Sequence, residues 1–173
     1  MGLPARQKPV KLIASIIYND RKCLDEAERA MVREFGEMDP GEKSYSFDFT
    51  DYYEEEMGGS LYRKIISFKR HVDPEDAYRI KLFSNSIEKD FGVNGRRTVN
   101  IDPGYVTEAK LVLLTTKDYS HRVHLRDGIF AEVTLHFQGR SFRPWPWTYP
   151  DYSSEKLIRY FNSVRQLYME ERK

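Results

Sequence analysis

One cysteine, no long apolar run and no surplus of either charge bound the chain before any motif is read. Cys23 has no cysteine partner, so no internal disulfide can form. It falls early in a predicted helix and reads as an ordinary part-buried thiol, which fits a reducing compartment. No stretch of about 18 apolar residues occurs, so no membrane span is expected. The segment Met1-Gly2-Leu3-Pro4-Ala5-Arg6 lacks the apolar core of a secretion signal. Arg6 also stands where myristoylation wants Ser or Thr. A soluble, cytoplasmic protein is the expectation. The 28 basic residues face 27 acidic ones. A dedicated duplex-DNA binder usually shows a basic excess or stripe, so that partner is disfavoured, although a local patch is compatible with a neutral total.

Motifs with a known mechanism are also missing. There is no Gly-x-x-x-x-Gly-Lys-Ser/Thr phosphate loop and no Gly-x-Ser-x-Gly elbow. His71, His121, His124 and His136 have neither His-x-x-x-His nor His-Glu-x-x-His spacing, so zinc is not an expected cofactor.

What is present is hydrophobic order. The 173 residues suit one domain, 1–173. Val10 to Tyr18 is nearly all apolar and Ile-rich, which predicts a central strand buried on both faces. Asn19-Asp20 offers an N-cap, and Leu24, Ala27, Met31 and Phe35 follow at helical spacing up to Gly36. Lys43 to Phe49 alternates, and Tyr62 to Phe68 reads as a further strand. Asp73-Pro74-Glu75-Asp76 marks a helix start, with Ala77, Ile80, Phe83, Ile87 and Phe91 as its buried stripe. Arg97 to Asp102 alternates again, Val99 and Ile101 inward. The order β-α-β-β-α-β predicts an α+β fold with a ferredoxin-like core, a four-stranded antiparallel sheet with both helices on one face.

Beyond that core, Ala109 to Thr116 reads as a short helix in preference to a strand. A hairpin follows, with a three-residue loop Arg126-Asp127-Gly128. That register puts Val123 and Leu125 on an apolar face with Ile129, Ala131 and Val133. It pairs Asp118 with His136, Ser120 with Thr134, Arg122 with Glu132 and His124 with Phe130. Phe142 to Tyr152, rich in Pro, Trp and Tyr, reads as an extended loop packed on the sheet. Ser153 or Ser154 then caps a C-terminal helix carrying Leu157, Ile158, Phe161, Val164 and Tyr168.

Acidic, basic and aromatic side chains gather in short runs at the ends of these elements. They are Asp48-Phe49-Thr50-Asp51-Tyr52-Tyr53, Asn100-Ile101-Asp102-Pro103-Gly104-Tyr105, Thr115-Thr116-Lys117-Asp118, Ser120-His121-Arg122, and Thr148-Tyr149-Pro150-Asp151-Tyr152. With Glu56-Met57-Gly58, Asp127-Gly128-Ile129, Ala131-Glu132-Val133-Thr134-Leu135 and Trp147, they give nearly the whole chain a specific resemblance. It resembles the bacterial and archaeal family named domain of unknown function 4416. The resemblance brings no catalytic residues with it. Some members are labelled GTP-binding, but Thr116-Lys117-Asp118 is one residue short of the guanine-reading spacing.

Each run has two readings. Asp48, Asp51 and Glu56 flank Tyr52 and Tyr53; they suit a divalent cation or acid–base chemistry, or else form a solvated, capped loop. Asp102-Pro103-Gly104-Tyr105 reads as a type II turn that leaves Asp102 on a rim. Lys110, Lys117, His121 and Arg122 gather positive charge for a phosphate or carboxylate, with Asp118 placed to orient His121; alternatively they form a polar hairpin face. The aromatics Trp145, Trp147, Tyr149 and Tyr152 suit stacking on a base or sugar, or an aromatic clamp.

The expectation is a pocket for a small anionic ligand, phosphorylated or nucleotide-like, with no reaction assigned. Asp51, Asp102, Asp118 and His121 are the catalytic candidates. Asp48, Tyr52, Tyr53, Tyr105, Lys117 and Arg122 are the ligand-binding candidates. The alternatives are an RNA- or protein-binding module without catalysis, or assembly of copies through an edge strand.

Overall fold

The computed structural model of the chain describes residues 2–41, 43–48, 53–92 and 96–172, without the side chains of Glu54 and Glu55. Strand β1 (Val10–Tyr18) runs through its middle, and all nine of its residues are buried. Alternating side chains therefore need two apolar covers, which explains the unbroken run. Leu12, Ala14, Ile16 and Tyr18 pack under α1 (Arg21–Phe35) and α3 (Ala77–Asp90). On the other face Ile13 packs under α4 (Glu155–Glu171), among Leu157, Phe161 and Val164.

Helix starts obey their local signals. The Asp20 carboxylate accepts from the Lys22 N–H at 3.0 Å, and the Ser154 hydroxyl accepts from the Leu157 N–H at 3.3 Å. Asp73 caps a 3-10 turn, Pro74–Asp76, that leads into α3. Gly36 ends α1 with φ of 89°.

The remaining elements are β2 (Tyr45–Ser46), a short α2 (Glu54–Met57), β3 (Tyr62–Val72), β4 (Val99–Val106), β5 (Lys110–Thr115), β6 (Val123–Arg126), β7 (Ile129–Gln138) and β8 (Ser141–Pro144). The sheet runs β2-β3-β1-β4-β5-β7-β6, with β8 also beside β7, and each pairing is antiparallel. The fold is α+β, with one antiparallel sheet of eight strands that extends well beyond the four-stranded core expected. No helix among the described residues is long and apolar enough to cross a membrane.

Several expectations need correction. Ala109 to Thr116 is not a helix; β5 takes Lys110–Thr115. Leu111 and Leu113 join the α4-side core while Leu114 packs towards Ala77 of α3, so the run is buried on both faces. Asp102 to Tyr105 is not a turn but the interior of β4. The hairpin turn is two residues, Asp127 and Gly128, both with positive φ (51° and 76°). A bulge between His124 and Arg126 absorbs the extra residue, so Val123–Ala131 and His124–Phe130 still pair as expected. The β6 apolar face is not covered, because this is an edge strand: Val123 and Leu125 are exposed. β6 begins at Val123, so Asp118–His136 and Ser120–Thr134 are not strand pairs; His136 lies opposite Lys110 and Arg143. The expected loop at Phe142 starts as β8, an edge strand whose Pro144 needs no donor, before the chain turns.

Candidate functional site

The site begins where the sheet forks. β4 pairs with β1 from Val99 to Val106, yet with β5 only from Gly104 to Val106. Pro103 has no N–H to offer a neighbouring strand. Gly104 sits at the point of divergence, where an added Cβ would lie 2.3 Å from the Val112 carbonyl oxygen. Beyond the fork, α3 satisfies the freed β4 backbone. Ile101 donates its N–H to Glu88 Oε1 at 2.7 Å, and its carbonyl accepts from Lys81 Nζ at 2.8 Å and Ser84 Oγ at 3.3 Å. Lys81, Ser84 and Glu88 are all buried, which is tolerable because their polar atoms are paired.

The fork opens into a cavity of about 520 Å³, the size of a small-molecule site. Its walls come from β3, β4, β5 and β7, from α3, from Phe47 and Tyr53, and from the turn Tyr149-Pro150-Asp151-Tyr152. Three charged groupings line it.

The first runs along β4. Lys81 Nζ meets Asp102 Oδ1 at 3.1 Å; Asn100 donates to Asp102 Oδ2 at 2.8 Å and accepts from Arg97 Nη1 at 2.8 Å. Arg97 also grips Glu56 through Nε and Nη2, at 2.8 and 2.6 Å. Burial opposes ionisation of Asp102, but the Lys81 ammonium and the hydrogen bonds from Lys81 and Asn100 outweigh it and hold the carboxyl below its usual range. The hydrogen bond from Arg97 likewise keeps Glu56 low. Glu88 goes the other way, because burial pushes its carboxyl up against the pull of Lys81 and Arg97.

The second grouping centres on buried Glu132. Its Oε2 accepts from Arg122 Nε at 2.8 Å and contacts His121 Nε2 at 3.2 Å, while Oε1 accepts from Thr134 at 3.1 Å. Arg122 also donates to the Lys117 carbonyl at 3.1 Å and to the Tyr149 hydroxyl at 3.4 Å. The third is a buried ion pair, Arg63 Nη1 with Asp151 Oδ2. The Arg63 guanidinium lies over the Phe47 ring at 4.2 Å and the Tyr152 ring at 5.4 Å.

An aromatic row stands outside the cavity. Trp145 and Trp147 stack at 5.2 Å, and His121 stacks on Trp147 at 5.5 Å. The row is held where neither β6 nor β8 covers β7: Trp147 Nε1 donates to the Val133 carbonyl at 3.3 Å and Thr148 Oγ1 to the Thr134 carbonyl at 2.6 Å.

Of the candidate residues, Asp102, Tyr53, Lys117 and Arg122 line this cavity. His121 sits behind Arg122, held by Glu132 and not by Asp118. Asp48 and Asp118 are exposed and outside the lining. Tyr105 is not a wall: its parity in β4 turns it to the α3 face, beside Ala77 and Leu114. Asp51 and Tyr52 lie outside the described residues. Reading the runs missed Arg63, Lys81, Asn85, Glu88 and Arg97. A signal existed for most of them. Positions 81, 85 and 88 fall on one helical stripe, and Arg63 shares the buried parity of Leu61 and Ile65. Among the described residues no group of three or more His, Cys, Asp or Glu is arranged to hold a metal ion.

No curated protein and no solved structure matches the chain. One family model does, over residues 8–168, across the strands that build the fork and the turn that closes the cavity. The chain therefore belongs to the family described as Domain of unknown function (DUF4416).

Proposed function

We propose that the cavity at the β4–β5 fork binds a small anionic ligand. The observation that carries this is the convergence of five basic side chains, Arg63, Lys81, Arg97, Lys117 and Arg122, on one enclosed space. Four carboxylates share the lining, and each is already paired with a basic side chain: Glu88 with Arg97, Asp102 with Lys81, Glu132 with Arg122 and Asp151 with Arg63. Guanidinium and ammonium groups carry more donors than these carboxylates take up, so the surplus favours an incoming acceptor. The β2-β3-β1-β4 sheet with α1 and α3 on one face fits a ferredoxin-like unit, and the cavity lies at its junction with the added strands. We place the protein in the cytoplasm, in keeping with its lone thiol. No reaction is assigned.

A thermal-shift screen of the full chain against nucleotides, sugar phosphates and small organic acids tests the proposal. A saturable rise in melting temperature, lost in a folded Lys117→Ala variant, supports it. A flat response across the panel overturns it. In that event the exposed Trp145–Trp147 row favours a binding module for RNA or protein, stacking unpaired bases or packing a partner.

A further inference from the structure

We infer that the charged end of the ligand is a single carboxylate, received by the Nε–Nη2 edge of Arg63. This rests on the reading of the cavity as a small-anion site. The other lining arginines are occupied. Arg97 is held by Glu56, Glu88 and Asn100, and Arg122 by Glu132, the Lys117 carbonyl and Tyr149. Arg63 differs. It is 5% exposed, and its ion pair with Asp151 is made through Nη1. Its Nε is buried with no hydrogen-bond partner. A buried guanidinium donor without an acceptor costs on the order of 1–3 kcal/mol. A ligand oxygen at that edge removes the cost.

The guanidinium is also fixed before any ligand arrives. Phe47 lies on it at 4.2 Å and Tyr152 at 5.4 Å, while Asp151 anchors one nitrogen. Nε and Nη2 are coplanar and separated as the two oxygens of a carboxylate require, so both can bond one carboxylate at once. Holding the fork rigid lowers the ordering entropy lost on binding.

Charge and backbone both favour a carboxylate over a phosphate. With Glu56, which Arg97 also holds, five carboxylates already balance the five basic groups, so the site has no surplus of positive charge to meet a dianion. Phosphate sites commonly add main-chain N–H groups from a helix N-terminus. Here α3 presents its flank, through Lys81, Asn85 and Glu88, and not its first turn. Around the fork, Leu113, Tyr53 and Pro150 offer apolar walls, so the acid carries an apolar body.

The test is calorimetric titration of the full chain with matched probes: benzoate, phenylacetate and larger aryl acids of cavity size, their carboxamides, and phenyl phosphate with its larger aryl homologues. The Arg63 Nε–H resonance is followed in parallel, assigned by its loss in Arg63→Lys. The expected result is saturable binding of the acids with a shift of that resonance. Affinity should fall about tenfold or more for the carboxamides and in Arg63→Lys, which keeps the charge but not the fork. Arg63→Gln combined with Asp151→Asn leaves no lone buried charge and keeps the comparison open if the single variant misfolds. Equal binding of acids and carboxamides, or acid binding without a shift at Arg63, overturns the inference. If the aryl phosphates bind more tightly than the acids, the inference fails while the small-anion reading stands. If neither anion class binds, both fail.

Discussion

Glu88 accepts the Ile101 N–H at 2.7 Å, so a side chain from α3 completes a strand that β5 has abandoned. The same carboxylate takes Arg97 Nη1 at 3.3 Å. Glu88→Ala strands the buried Ile101 N–H and removes one of the two acceptors of Arg97 Nη1, and should destabilise the fold by about 3 kcal/mol. Glu88→Gln retains an acceptor and should lose about 1 kcal/mol. Urea unfolding of the two variants measures the difference.

Gly104 tests the fork itself. Alanine there places its Cβ against the Val112 carbonyl oxygen, a backbone atom that cannot swing away. The expected loss is about 2–3 kcal/mol, as for overpacking. An unchanged midpoint in denaturant would show that the two strands separate at no cost.

How much of this was legible in the chain differs by region. Val10 to Tyr18 and the helix after Asp73 were readable because burial, period and caps agree there. β5 was not, since four apolar residues in a row suit either a helix or a doubly covered strand, and only α3 and α4 decide between them. Asp102-Pro103-Gly104-Tyr105 carries ordinary turn chemistry. Its extended form depends on β1 pairing along its whole length, a contact between residues some 90 positions apart. Tyr53, Asp102, Lys117 and Arg122 stood out because charge and aromatics cluster near them. Arg63 stands beside Lys64 within a strand and outside the polar–aromatic runs, and its role emerges only when Asp151 and Phe47 arrive from elsewhere.

Arg122 and Glu132 form a buried pair at 2.8 Å. Removing one member leaves a desolvated charge. Arg122→Met should lose about 3 kcal/mol, and Arg122→Met with Glu132→Gln should lose less than the single variant. A double-mutant cycle from thermal or urea unfolding reads the coupling; strict additivity would count against it.

Acid stability follows from the shifted carboxyls. Asp102 and Glu56 titrate below their usual range when folded, and at about 4 when unfolded. Their stabilisation is therefore complete above about pH 4 and disappears as pH falls through their folded values. Glu88 has the opposite sign: its raised carboxyl favours the fold below its unfolded value and loses that as pH rises through the folded one. Asp102→Asn should flatten the acid limb of a pH–stability curve. Glu88→Gln should flatten the change of opposite sign above it.

Lys11 has no exposed surface, and its Nζ lies 2.8 Å from Glu171 and 3.0 Å from Asp39. Glu171 also takes His71 Nε2 at 2.7 Å. Lys11→Met leaves two carboxylates facing one histidine, and the melting temperature should fall with a loss of about 3 kcal/mol or more. Retained stability in that variant would show the cluster to be dispensable.

Glu171 follows Lys11 by 160 residues. During synthesis the lysine of β1 is made long before the carboxylate that helps neutralise it in the interior. Until α4 leaves the ribosome, the central strand holds an ammonium that prefers water to the sheet. Burial of β1 with its full set of partners is therefore expected only once α4 has been made.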